Sequence, residues 1–386
     1  MNERRQTLVY SFMRKLIPYL IVALLAAPGA RAEMLSELSA ADKAKLESGD
    51  SVVLTVEKEG AVWPEVRIYR QVKATPQGVT DLFLDYEHAN TFIDNLDSAT
   101  RHWRFLRNRE FDVAEVSSSS YIVARDQGLP FDAIPVFLHR RFRHGFAFVN
   151  TSKGITEPKD LIGKRVGVKS FQVTAILWLR GILEEQYGVP HKSIEWVTEL
   201  DEDVDFEPPP GLKLTKMRED QTCEDMLVAG ELDAVLHPDL IWPITQRHPA
   251  VGRLWPDYKA EERRYWDKTK IFPIMHVMGF KREIVEKYPW APIELYKAFD
   301  KAKSIAMRRM ENPRIVPLVW YREAWEEQEE IFGTDPWEYG LTDLNRHNME
   351  TLVRYSHEHG LIKRRIPMEE LFLDVGQGRK RGHDRI

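Results

Sequence analysis

Cysteine is almost missing from this chain: Cys223 is the single one among 386 residues. That excludes an intrachain disulfide and any metal site built on several thiolates. A stretch of about 20 apolar residues, enough to span a bilayer, is also missing. No stripe of Lys and Arg alternates with aromatic residues, and the formal net charge is −5, so nucleic acid is not an expected partner. HExxH and spaced Cys/His sets are absent, so no metal site is expected. A GxSxG elbow is absent too, which leaves a serine hydrolase without its motif. No repeat of fixed period is visible.

What the chain does contain is the composition of folded protein, with 43% hydrophobic residues, 11 Trp and 22 Pro. Single cores stop growing at roughly 250–300 residues, so two or three compact units are expected. At the N-terminus Arg14 and Lys15 precede the apolar run 16–27, and Ala30-Arg31-Ala32 precedes Glu33. Residues 1–32 therefore read as a secretory signal peptide, with Met13 an alternative start. Cleavage would bring the net charge to −9. The expected location is then periplasmic or secreted, with no stable membrane insertion, and cytoplasmic if the segment is not used.

Residues 33–98 predict a helix capped by Ser39, strands over 51–56 and 66–72, and a helix opening at Thr75-Pro76. Trp63-Pro-Glu-Val66, Phe83-Leu-Asp-Tyr-Glu-His88 and Phe92-Ile-Asp-Asn-Leu96 make this piece resemble the start of a polyketide-cyclase/START-like helix-grip domain, a partial α+β segment. From Trp103 onward short apolar strands alternate with helices in the manner of parallel βαβ units. Strands are predicted over 111–116, 134–137, 145–149, within 160–168, and over 232–236 and 271–280. Helices are predicted over 173–187, from Thr222, and over 289–309 and 318–331. Residues 201–211 (DEDVDFEPPPG) read as a solvated acidic linker.

Ile155-Thr-Glu-Pro-Lys-Asp-Leu-Ile-Gly-Lys-Arg-Val-Gly-Val168 and Met226-Leu-Val-Ala-Gly-Glu-Leu-Asp-Ala-Val235 resemble the α/β, two-lobed, type 2 periplasmic-binding-protein fold. A narrower resemblance is carried by Arg109-Glu-Phe-Asp-Val-Ala-Glu-Val-Ser117, Ala133-Ile-Pro-Val-Phe137, Phe142-Arg-His144, Phe171-Gln-Val-Thr-Ala175, Trp178-Leu-Arg-Gly-Ile182, Ile271-Phe-Pro-Ile-Met-His276 and Phe332-Gly-Thr-Asp-Pro-Trp-Glu-Tyr-Gly340. These blocks are similar, in order, to the 4,5-dihydroxyphthalate decarboxylase family. The family's opening strand and helix have no counterpart before Trp103, where the START-like piece stands instead. The expected layout is lobe 1 from 99–144 and 271–366, lobe 2 from 145–270, and a basic tail over 367–386.

In such a fold a ligand sits between the lobes at the carboxyl ends of strands, where helix N-termini offer N–H groups to anions. Ser117, Ser118 and Tyr121 follow one strand, and Gln172 and Thr174 follow another. The serine run reads equally as a capping cluster. Within His139-Arg-Arg-Phe-Arg-His144, Arg140 and above all Arg143 are candidates for a carboxylate, since guanidinium forks bind it in a bidentate way. A run this basic is otherwise a solvated loop. His144 and His276 are candidate proton donors, although a histidine inside an apolar strand is ordinarily a satisfied core residue. His237 is a further binding candidate at a strand end.

The resemblance implies non-oxidative decarboxylation of a small anionic aromatic substrate, 4,5-dihydroxyphthalate to 3,4-dihydroxybenzoate, with no cofactor. The competing reading is an exported solute-binding protein that passes a carboxylate to a transporter, and the signal-like N-terminus favours it. A third is lipid or polyketide binding by the START-like piece.

Overall fold

A computed structural model describes residues 38–48, 51–56, 65–70 and 98–376, and the chain divides into two compact units, Met1–Asp97 and Ser98–Ile386. In the first, helix α1 (Ala40–Glu47) starts at Ser39, whose hydroxyl accepts the Asp42 N–H at 3.1 Å. Strands β1 (Ser51–Val56) and β2 (Glu65–Arg70) pair antiparallel with Ser51 opposite Arg70. Leu38, Leu46 and Val52 form their small apolar cluster. The signal-like segment and the helix expected at Thr75 lie outside the described residues.

The second unit opens with α2 (Ser98–Leu106), β3 (Val113–Ser117), α3 (Ser118–Asp126) and β4 (Phe131–Ile134). Strand β4 stops at Ile134 because Pro135 has no N–H to give to a ladder, so the strand expected over 134–137 falls earlier. The chain then crosses to β5 (Ala147–Asn150), β6 (Arg165–Val168), α4 (Thr174–Tyr187), β7 (Glu195–Thr198), β8 (Lys213–Lys216), α5 (Cys223–Ala229), β9 (Ala234–Leu236), β10 (Val251–Arg253) and α6 (Tyr258–Thr269). These strands make one sheet in the order β10-β5-β9-β6-β7-β8, parallel at β9-β6-β7-β8 and antiparallel around β5.

The return crossing becomes β11 (His276–Lys281), shorter than the strand expected over 271–280 because Pro273 interrupts it. β11 lies between β3 and β4, antiparallel to both, in a three-stranded sheet. Helices α7 (Arg282–Lys287), α8 (Ala291–Met310), α9 (Tyr321–Phe332) and α10 (Asp343–Glu358) follow. The expected basic tail is corrected in its first part. Met368, Leu371, Phe372 and Val375 are buried, and the Leu373 N–H donates to the Ala133 carbonyl at 2.8 Å. Their apolar side chains fill the edge beside β4, where Phe372 meets the Phe137 ring edge-on at 5.9 Å.

Helix α4 joins the two sheets. It is buried from Thr174 to Leu183 and ends at Gly188 in the left-handed conformation, φ 67°, a backbone state that glycine adopts without the steric cost of a Cβ. The Trp178 indole N–H donates to the Ile274 carbonyl at 2.9 Å, tying this helix to the returning crossing. Gly181 meets the Tyr355 ring of α10 so closely that a Cβ there would overlap three ring atoms. Alanine has the better helix propensity by about 1 kcal/mol, yet the overlap dominates. Gly181→Ala is expected to lower stability by about 1–3 kcal/mol, measured as a lower midpoint in urea unfolding with an unchanged slope.

Candidate substrate cleft

A cleft of about 770 Å³ opens between the two sheets of the second unit. One wall comes from α2, the end of β3, the crossing before β5 and the start of β11; the other comes from the loop before α4, residues 200–203 and the turn after β9.

Strand pairing builds the first wall. β11 sets His276 directly opposite Ser117, and Glu115, two residues before Ser117, shares its face by the period of a strand. The His276 Nδ1–H donates to the Glu115 carboxylate at 2.7 Å. Arg101 from α2 reaches the other Glu115 oxygen at 2.8 Å. Burial by itself would raise the Glu115 carboxyl, but the His276 hydrogen bond and the charges of His276 and Arg101 outweigh it and hold it at about 2. With Nδ1 committed to Glu115, Nε2 is the ring atom of His276 free to exchange a proton with a ligand.

Two further imidazoles flank His276. The His102 ring lies 4.7 Å from it and the His139 ring 4.8 Å, both edge-on. His102 Nδ1 accepts the Ser117 N–H at 3.2 Å, which leaves its proton on Nε2. Burial, then the neighbouring His276 and Arg101 side chains, push His102 well below its ordinary value. His139 is pushed down to about 3 by burial, with His276 and Arg143 adding to the effect. Both are neutral hydrogen-bonding groups at neutral pH, beside one histidine whose Nδ1 is held by a carboxylate.

Arg143 lines the same cleft at 1% exposure. Its Nη1 donates to the Pro238 carbonyl at 2.7 Å, its Nε faces the Met275 sulfur at 3.1 Å, and the guanidinium lies over the Phe146 ring. Among the described residues no carboxylate comes within ion-pair distance of it. Burial lowers its pKa to about 9, so it stays charged at neutral pH. A buried cation without a counter-ion is costly unless an anion completes it.

The second wall is more self-contained. Lys169 pairs with Glu199 at 2.6 Å and faces Glu224 at 3.7 Å. Glu202 accepts the N–H groups of Phe171 and Gln172 at 2.7 and 2.8 Å, and burial raises its carboxyl. The protein's own carboxylate thus fills the anion position expected in that loop, leaving only the first-turn amides of α4, at Thr174 and Ala175, on the cleft wall. Residues 201–205, expected to be a solvated linker, are instead tied to both walls. Ser120 donates to Asp203 at 2.7 Å, Arg107 to Asp205 at 2.9 Å, and the Gln172 side chain to the Val204 carbonyl at 2.6 Å.

Of the candidates read from the sequence, Ser117, Arg143, Thr174, His237 and His276 line the cleft. Ser117 and Thr174 share a hydroxyl contact of 2.8 Å, and His237 faces Glu224 at 3.5 Å while its Nδ1 accepts the Asp239 N–H at 3.0 Å. The others lie outside the lining. His144 is fully buried against Trp255 and Tyr265, with both ring nitrogens unpartnered, and burial pushes it down to about 4, so it is neither placed nor charged to deliver a proton. Arg140 donates to Asn345 and the Glu338 carbonyl. Tyr121 donates to the Leu371 carbonyl, Gln172 holds Val204, and Ser118 is wholly buried. Arg101, His102, Glu115, His139, Glu202 and Asp203 escaped the sequence reading. Only Glu115 carried a signal, a carboxylate two residues from Ser117 in an otherwise apolar strand.

A second cluster, Glu184, His191 and His359, brings its ligand atoms within 4.8 Å of one another. His359 Nδ1 accepts from Arg180 at 3.3 Å, so its proton sits on Nε2 and points to Glu184 at 3.3 Å. His191 Nδ1 donates to the same oxygen at 2.8 Å. A cation bound by His359 Nε2 would force a proton onto Nδ1, facing the Arg180 donor. The arrangement is that of a hydrogen-bonded clasp between α4 and the end of α10.

Residues 99–204 match the NMT1/THI5-like family. A solved structure, the periplasmic aliphatic sulphonate-binding protein SsuA from Escherichia coli, is similar at TM-score 0.43 and 12% identity over 70% of this chain and 82% of that one. The two sheets and the cleft between them define a type 2 periplasmic-binding-protein-like α/β unit. A 4,5-dihydroxyphthalate decarboxylase from Comamonas testosteroni is 35% identical over 279 residues, 70% of this chain and 84% of that protein. Another from Pseudomonas putida is 37% identical over 162 residues, 40% of this chain and 63% of that protein. The chain belongs to the 4,5-dihydroxyphthalate decarboxylase family.

The Glu115 carboxyl, depressed from its ordinary 4.5 to about 2, adds stability on the order of 3 kcal/mol above pH 4.5. That contribution is withdrawn as pH falls through the folded value near 2. The stability gap between wild type and Glu115→Gln, measured by urea unfolding, is expected to be largest at pH 6 and to shrink steadily between pH 4.5 and pH 2.

Proposed function

We propose that this protein removes one carboxylate, without oxidation, from an aromatic dihydroxy-dicarboxylate of the 4,5-dihydroxyphthalate kind. The observation that carries this reading is the buried Arg143 guanidinium, which faces the cleft with no carboxylate of its own and lies near the His276–Glu115 pair. In this substrate each carboxylate is para to a hydroxyl. Arg143 holds the carboxylate that is retained. Protonated His276 gives its Nε2 proton to the ring carbon bearing the other, while the para hydroxyl releases its proton and becomes a carbonyl. The bond to the carboxylate then breaks, its electron pair restores the ring, the oxygen regains a proton and carbon dioxide leaves. The net change is one proton consumed for one carbon dioxide released, with 3,4-dihydroxybenzoate as product. Glu115 holds the His276 ring through Nδ1 so that Nε2 faces the substrate, and neutral His102 and His139 are suited to the ring hydroxyls.

The competing reading, capture of a carboxylate for a transporter from an exported location, uses the same cleft and anchor but no proton donor. Among the described residues no helix is long and apolar enough to cross a membrane. Incubating the purified protein with 4,5-dihydroxyphthalate separates the two readings. Release of carbon dioxide with formation of 3,4-dihydroxybenzoate is expected. Saturable binding without turnover would favour capture. His276→Gln is expected to lower kcat by roughly 10²–10⁴-fold with little change in binding. Arg143→Ala is expected to raise KM by roughly 30-fold or more, the effect of losing a charge-assisted hydrogen bond worth about 2 kcal/mol or more.

A further inference from the structure

The reaction proposed for the cleft leaves one proton without an acceptor. As the ring carbon bearing the departing carboxylate gains a proton, the para hydroxyl loses one, and a group across the ring must take it and give it back. His102 and His139 can donate a hydrogen bond to that oxygen but hold an extra proton badly, since burial pushes the first well below its ordinary value and the second to about 3. Lys169 is engaged by Glu199 at 2.6 Å. A carboxylate is what remains.

Among the described residues five carboxylates line the cleft, Glu115, Asp201, Glu202, Asp203 and Asp239. Glu115 has spent both oxygens on His276 and Arg101, and Glu202 both on the N–H groups of Phe171 and Gln172. Asp201 is exposed and pairs with Lys216 at 2.6 Å. Asp239 is exposed within electrostatic reach of Arg143, at the place that takes the retained carboxylate. Asp203 differs from all four. It is half-buried, its Oδ2 accepts the Ser120 hydroxyl at 2.7 Å, and its Oδ1 has no partner among the described residues and is open to the cleft. Backbone bonds fix its position. Arg107 Nε donates to the Asp203 carbonyl at 3.0 Å, and the Gln172 carboxamide accepts the Val204 N–H at 3.1 Å and donates to the Val204 carbonyl at 2.6 Å. The side chain is thereby held on the wall opposite His276 and within its electrostatic reach. Burial raises its carboxyl against the pull of Ser120, Arg107 and His276, toward the range of a base that can also return a proton.

The geometry points to Asp203 as the catalytic base for the para hydroxyl, a role that rests on the carboxy-lyase reading of the cleft. Asp203 Oδ1 takes the hydroxyl proton while His276 Nε2 protonates the ring carbon, and the C–O bond becomes a carbonyl. Protonation of the ring makes this hydroxyl far more acidic than a free phenol, so a carboxylate suffices. When the bond to the departing carboxylate breaks, its electron pair returns through the ring to the oxygen, which recovers the proton from Asp203 as carbon dioxide leaves. Asp203 ends as it began, and the one proton consumed is the one His276 gave.

Asp203→Asn keeps an acceptor for Ser120, and the remaining bonds at 203–204 are made by the backbone, so far-UV circular dichroism and binding of 3,4-dihydroxybenzoate are expected to match wild type. Its kcat on 4,5-dihydroxyphthalate at pH 6 is expected to fall by roughly 10²–10⁴-fold. That deficit shrinks by about tenfold per pH unit as the substrate hydroxyl approaches its own ionisation, because an ionised substrate needs no base. Asp203→Glu, which keeps a carboxylate, holds a constant ratio to wild type over the same range. Wild-type turnover by Asp203→Asn, or a deficit equal at every pH, overturns the role of Asp203 and leaves the carboxy-lyase reading standing. An Asp203→Glu ratio that drifts with pH as the Asn ratio does overturns it as well. A wild-type protein that releases no carbon dioxide overturns the reading and the role together.

Discussion

The second unit depends on one long-range pairing, β11 against β3. It joins residues near 115 to residues near 277 and makes the six-stranded sheet, which follows β4 and precedes β11 in the chain, an insertion into the three-stranded one. The same register decides the chemistry. His276 falls opposite Ser117 and reaches Glu115 only in this alignment, because a slip of one residue would turn each of these side chains to the other face. The pairing that closes the lobe is thus also what brings His276 onto Glu115.

Charge placement in the cleft follows a division of labour. The wall of residues 169–203 neutralises itself: Lys169 meets Glu199, and Glu202 occupies the amides before α4. The opposite wall leaves Arg143 without an acid, while giving Glu115 to both Arg101 and His276. The field inside is therefore uneven, with an uncompensated positive charge at one place and a supported imidazole at another. Low polarity around them strengthens both effects.

Much of the fold was legible in the sequence because period and punctuation were clear. Helix α4 was readable from its apolar run and the stop at Gly188, and β6 was readable within the run 160–168, of which it takes the last four residues. Strand ends were less so, since prolines at 135 and 273 moved β4 and β11 away from their expected limits. The candidate site was half legible. Arg143 and His276 stood in quoted motifs, but His102 lies on a helix and His139 in a run of arginines, and only tertiary contact places both rings beside His276. His144, adjacent to Arg143 in sequence, turns into an aromatic cage instead. Adjacent residues in an irregular crossing share no face, so neighbourhood in the chain carried no information there.

The burial of residues 368–375 beside β4 has a consequence for synthesis. The six-stranded sheet is contiguous in the chain and has all its strands once residue 253 has left the ribosome. The three-stranded sheet lacks its central strand until residues 276–281 emerge, and its edge stays uncovered until residues 368–375 follow. Domains fold as units in order of appearance, and distant pairings form slowly. During that interval β3 and β4 have open ladders and apolar faces, so the half of the cleft that carries Arg143 and Glu115 is the half that most needs protection from aggregation until residues 276–281 and 368–375 have emerged.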